Sequence, residues 1–77
     1  MLGITVLGEG FGKLAAEAII RRASTESEFE RLVAAFQIFL EGTIARKRRE
    51  EGEEAASAFG QAARASFAER MAQQAEQ

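Results

Sequence analysis

Seven of the twenty amino acids do not occur in this 77-residue chain: proline, cysteine, histidine, tryptophan, tyrosine, asparagine and aspartate. Each absence closes a class of chemistry. Without cysteine and histidine there is no disulfide, zinc finger, thiol nucleophile or imidazole base. Without aspartate the usual Mg²⁺ and Ca²⁺ loop patterns fail. No uncharged apolar run reaches the roughly 18 residues of a membrane span. The opening residues also lack the basic start of a secretory signal, so the expected location is the cytoplasm, or a particle assembled there. A net charge of −2 gives no reason to expect a nucleic acid as the main partner.

The residues present are those of helices. Sixteen are alanine, all twelve acids are glutamate, and eight of the ten bases are arginine. The chain is long enough for one small domain, whose core alone seldom contributes more than about 3–5 kcal/mol. With disulfides and zinc excluded, self-association or a partner is the remaining source of stability.

Residues 1–9 are apolar, with β-branched Ile4, Thr5 and Val6, and read as a short extended arm. Gly8, Gly10 and Gly12 then loosen the backbone. A first helix is expected over about 10–23, burying Phe11, Leu14, Ala15, Ala18, Ile19 and Arg22 at helical spacing. Thr25 with Glu28 three residues later forms a capping box, with Glu26 and Glu28 where the helix dipole favours anions. The second helix, over about 26–49, carries Phe29, Leu32, Val33, Phe36, Phe39, Leu40, Thr43 and Ile44 on one stripe.

Helical phase decides whether this helix continues. At about 100° per residue, Phe59, Ala63, Ser66, Phe67 and Arg70 of an unbroken rod would lie about 150° from the first stripe. A break at Gly52 lets a third helix, over about 53–72, fold back and bury both stripes together. The expected fold is all-α: arm 1–9, then a single helical domain 10–77 of three helices. The second and third form an antiparallel hairpin, bundled by self-association.

Few constellations carry chemistry. Gly8-x-Gly10-x-Gly12-Lys13 opens a helix after an apolar run, as phosphate loops do, but Leu14 stands where a Walker loop needs Ser or Thr. The cations Arg46–Arg49 are followed at once by Glu50, Glu51, Glu53 and Glu54, which cancel their field within a Debye length. Those glutamates, with Glu17 and Glu41, lack the histidine that usually completes a carboxylate metal site in a bundle. Ser24, Ser27, Ser57 and Ser66 have no base to activate them. No catalytic residue, metal site or cofactor is therefore expected.

Behind the Phe stripe of the second helix lie Ala34, Ala35, Ile38, Gly42 and Ala45, a second apolar side that needs cover. The expectation is a non-enzymatic interaction protein, an assembly component (for instance of a phage-like virion) or a small regulator, that self-associates and binds a larger protein. Self-association falls to Phe29, Phe36, Phe39, Leu40, Phe59 and Phe67, and partner binding to Ile38, Ile4, Val6, Leu7 and Phe11. Membrane-surface action through the Gly-rich apolar residues 1–20 is one alternative, and weak nucleic-acid binding through Arg46–Arg49 is another.

Overall fold

The structure, a computed structural model, describes residues 2–76, with only the backbone at Leu2. Met1 of the expected arm and Gln77 of the expected domain lie outside the described residues. Three helices account for nearly all of the rest: α1 (Leu2–Arg22), α2 (Glu26–Glu51) and α3 (Glu53–Ala75). No strand occurs among the described residues.

The extended arm is not formed, and α1 does not begin near residue 10 but at Leu2. β-Branched residues cost a helix only a few tenths of a kcal/mol each. Packing outweighs that here, because Ile4 rests against the hydrophobic core. Two of the glycines that were expected to loosen the chain instead admit α3. A Cβ on Gly8 would stand 2.6 Å from the Phe59 carbonyl oxygen, and one on Gly12 would collide with the Ala63 carbonyl oxygen. The α1 and α3 backbones therefore approach as closely as only glycine permits.

The remaining boundaries follow local signals. The Thr25 hydroxyl accepts from the Glu28 backbone N–H at 3.1 Å and starts α2. At the far end Gly52 takes φ 99° and ψ 170°, a conformation essentially reserved for glycine, and its N–H bonds to the Arg48 carbonyl at 3.1 Å. Glu53 and Glu54 in the first turn of α3 meet the positive end of its dipole. Both α2 and α3 run two to three residues beyond their expected ends.

Contacts fix how the helices lie. Gly8 meets Phe59, Gly12 meets Ala63, and Glu17 pairs with Arg70 at 3.5 Å, so α1 and α3 pair in the same sequence order. The Ser66 hydroxyl locks this pairing by donating to the Glu9 carbonyl at 2.6 Å. Between α2 and α3, Arg48 pairs with Glu53, Ile44 lies over Gly60, and Phe36 stacks on Phe67 at 4.2 Å. Contact is most extensive between α1 and α3, and α1 and α2 meet little. The result is a thin layer with α3 in the middle, whose Cα atoms span 38 × 21 × 13 Å.

Phe59 and Leu40 are the largest fully buried side chains, joined by Ile19, Phe36, Ile44, Ala16, Ala56 and Ala63. Burying a side chain such as Phe59 or Leu40 contributes roughly 1.5–3 kcal/mol. The one buried polar residue described, Thr43, donates its hydroxyl to the Phe39 carbonyl at 3.0 Å and so carries no unmet bond into the core. Three expected stripe members face outward instead: Leu14, Phe39, and Arg22, whose long charged side chain ends α1 in solvent. Leu14 is exposed because Gly8, Gly12 and Ala16 turn a different line of α1 toward α3. Phe39 is exposed because α1 covers so little of α2.

Candidate interaction surfaces

The residues expected to carry self-association divide sharply. Phe36, Leu40 and Phe59 are interior to the single chain, and Phe29 and Phe67 pack against that core. Only Phe39 of that set stands in solvent, 63 % exposed. Among the expected partner residues, Ile38 is 73 % exposed, Val6 60 % and Leu7 54 %. Ile4 and Phe11 are half-buried and pack against the core. Leu14, at 67 % exposed, belongs with the surface set, and sequence reasoning missed it by placing it in the buried stripe.

Phe11 ties the helices together. Its ring lies 5.9 Å from Phe36, 5.7 Å from Phe39 and 5.4 Å from Phe59, the Phe39 pair being stacked. Such ring pairs contribute about 0.5–1.5 kcal/mol each beyond their buried area. The far side of α2, with Ala34, Ala35, Ile38 and Gly42, is open to solvent, and α1 does not cover it.

Part of the charged run at the end of α2 is occupied internally. Lys47 pairs with Glu51 at 3.3 Å and lies over the Phe59 ring, its Nζ 5.1 Å from the centroid. Arg48 is bonded to Glu53. Half of the Arg46–Arg49 run is thus turned onto its own neighbours. The Gly8–Lys13 segment lies within α1, where helical bonding ties up the backbone N–H groups that a phosphate cradle would present. No cluster of three or more potential metal ligands occurs among the described residues, and no helix there is long and apolar enough to cross a membrane.

Two open grooves flank α3. One, of about 500 Å³ between α1 and α3, is lined by Glu9, Lys13, Gln61, Ser66, Glu69 and Arg70, a mixture of signs that selects neither anion nor cation. The other, of about 420 Å³ between α2 and α3, combines Phe36, Leu40 and Phe67 with Glu41 and Arg64. Neither gathers the nucleophile, base and orienting group that acyl or glycosyl transfer requires.

Ser24 holds the Glu28 carboxyl through two hydrogen bonds. The Ser24 backbone N–H donates to it at 2.7 Å and the Ser24 hydroxyl at 3.0 Å. These bonds, aided by the charges of Arg31 and Arg22, hold its pKa below the ordinary glutamate value. The role is structural, since the Glu28 N–H meets the Thr25 cap while its carboxylate reaches back to Ser24, one residue before that cap.

No protein-family model, curated protein or solved structure matches the chain.

Proposed function

We propose that the chain is a small non-enzymatic helical interaction protein that self-associates and occupies a larger protein partner. It serves either as an assembly component, for instance of a virus-like particle, or as a regulator that blocks the protein it binds. One observation carries this reading. Val6, Leu7, Leu14, Ile38 and Phe39 are each more than half exposed, on a chain whose core is built from Ile19, Phe36, Leu40, Ile44 and Phe59. In this reading α2 and α3 form an antiparallel hairpin on which α1 is laid. Phe36, Leu40 and Phe59 stabilise the subunit, and outward contact falls to Phe39 and the exposed residues of α1 and α2.

Ile38 and the small residues around it are the surface offered to the larger partner. Ile38→Glu leaves the core untouched and should leave helicity by circular dichroism unchanged. Affinity capture from the native host should retain a partner on the wild type and lose it on Ile38→Glu. Equal capture by both proteins refutes the assignment. A second reading, membrane-surface action through α1, draws on the exposure of Val6, Leu7 and Leu14 along that helix. Flotation with anionic and neutral liposomes separates the two, and the absence of binding to either disposes of the membrane reading.

A further inference from the structure

Seven residues of the chain carry a hydroxyl, and five of them sit inside helices. Ser24 and Thr25 are the exceptions, in the short connection between α1 and α2. Their duties differ. The Thr25 hydroxyl accepts from the Glu28 backbone N–H and caps α2. Ser24 is exposed, and its hydroxyl donates to the Glu28 carboxylate at 3.0 Å.

The residues before Ser24 give this hydroxyl a direction of approach. Arg21 and Arg22, which end α1, stand three and two positions ahead of it. Both are exposed, and neither takes part in an ion pair among the described residues, whereas Lys47, Arg48 and Arg70 do. Two guanidinium groups at these positions are what an arginine-directed protein kinase reads. Its carboxylates grip each planar fork through paired hydrogen bonds and bring the hydroxyl to the phosphoryl donor. No other hydroxyl has two cations so placed: Thr25 has only Arg22 and Ser66 only Arg64.

Such an enzyme takes its substrate extended, so residues 21–24 must leave the helical path. Little opposes this. Ile19 is the last buried residue of α1. Beyond the helix's own ladder, the Ala23 N–H to Ile19 carbonyl bond of 2.9 Å ties the connection to it. Opening one exposed helix end leaves the core intact and lies at the low end of local unfolding.

We infer that Ser24 is a phosphoacceptor site for an arginine-directed protein kinase, with Arg21 and Arg22 as its recognition pair. The Ser24 oxygen attacks the γ-phosphorus of a nucleoside triphosphate and forms the new P–O bond. The bond from that phosphorus to the β,γ-bridging oxygen breaks, the nucleoside diphosphate leaves with the electron pair, and the hydroxyl proton passes to the kinase's base. The site is separate from the exposed apolar residues of the interaction reading and does not depend on it.

The product alters the start of α2. Glu28 loses the hydroxyl donor and faces a group carrying about −1.5 to −2 charges. Arg22 and Arg31, whose charges act on Glu28, are then shared with the phosphate, and Glu26 adds another like charge. The Glu28 carboxylate thus turns from supporting the cap to opposing it.

Incubation of the folded chain with ATP and the catalytic subunit of the cyclic-AMP-dependent protein kinase tests this, read by intact mass and fragment mapping. One phosphate per chain should enter at Ser24 and none in Ser24→Ala, with circular dichroism confirming that each variant is folded. Arg21→Ala and Arg22→Ala should each lower kcat/KM roughly tenfold or more, while Arg64→Ala leaves it unchanged. No incorporation into the folded chain overturns the inference, as does incorporation at Thr25 or Ser66 in place of Ser24. A rate indifferent to Arg21 and Arg22 overturns it too. In the phosphorylated protein Glu28→Gln should raise Tm, the reverse of its effect on the unmodified chain, and a fall as large as before refutes the coupling to the cap.

Discussion

Gly12→Ala isolates the contact on which the fold turns. In the interior of a helix alanine is favoured over glycine by up to about 1 kcal/mol, so propensity alone predicts a more stable protein. The structure predicts the reverse. A Cβ at Gly12 would overlap the Ala63 carbonyl oxygen and lie 3.0 Å from both the Ala63 carbonyl carbon and the Phe67 nitrogen. All three are backbone atoms, so no rotamer change relieves the clash, and α1 has to move off α3. Overpacking of this kind costs about 1–3 kcal/mol. Separation also stretches the 2.6 Å bond from the Ser66 hydroxyl to the Glu9 carbonyl, which is exposed enough to be replaced by water. Such a bond has a net contribution of about 0.5–1.5 kcal/mol. After the propensity gain, a loss of about 1–3 kcal/mol remains, a large share of the roughly 3–5 kcal/mol that a core of this size supplies. For a domain of this length each kcal/mol moves Tm by about 4–8 °C, which puts the fall at roughly 5–20 °C. Gly10→Ala is the matched control. Nothing lies within 4 Å of its Cβ position, so the same substitution two residues away should raise Tm by up to about 8 °C. Thermal melts by far-ultraviolet circular dichroism on dilute protein read both signs. A Gly12→Ala variant melting at or above the wild type would refute the close approach of α1 to α3.

Gly52→Ala should cost about 1–3 kcal/mol, read as a lower urea midpoint, because φ 99° with ψ 170° is strained for any residue with a Cβ. An unchanged midpoint means that the α2–α3 junction does not require this conformation. The Glu28 carboxylate, held below its ordinary pKa by Ser24, contributes stability that is present above the unfolded glutamate pKa and lost as pH falls through the folded one. The Tm difference between wild type and Glu28→Gln should therefore narrow as pH drops below the ordinary glutamate range, and a pH-independent difference contradicts the assignment.

The parts of the fold that sequence reasoning reached are those encoded locally. Thr25 and Glu28 announce the start of α2 through a local hydrogen-bonding pattern that the Glu28 carboxylate completes on Ser24. Gly52 marks the break between α2 and α3, and helical phase places Phe36, Leu40, Phe59 and Ala63 on buried faces. Phase also places Ile38 opposite the Phe stripe, where it is exposed. The errors have separate physical origins. Hydrophobic periodicity weights large side chains, whereas the line of α1 that meets α3 consists largely of Gly8, Gly12 and Ala16. Those residues contribute little to any hydrophobic pattern, so periodicity turns Leu14 inward, while β-branched Ile4, Thr5 and Val6 make residues 1–9 read as an arm. The outward position of Phe39 depends on how far α1 reaches across α2. That is a tertiary distance which no window of sequence contains.

The same small residues connect the fold to its surface. Close approach through Gly8, Gly12 and Gly60 lets α3 lie between its neighbours at short distance, with the core concentrated around Phe59 and Leu40. A layer built in this way stays thin and cannot wrap α1 onto α2, so both sides of α2 beyond its Phe stripe stay in water. Larger side chains on the α1–α3 face would thicken the layer and hold the helices apart, and Phe11 would then lose its stacking distance to Phe39. The exposure of Leu14 and Phe39 therefore follows from how the core is packed. Those side chains are what remains uncovered when glycine and alanine set the spacing between α1 and α3.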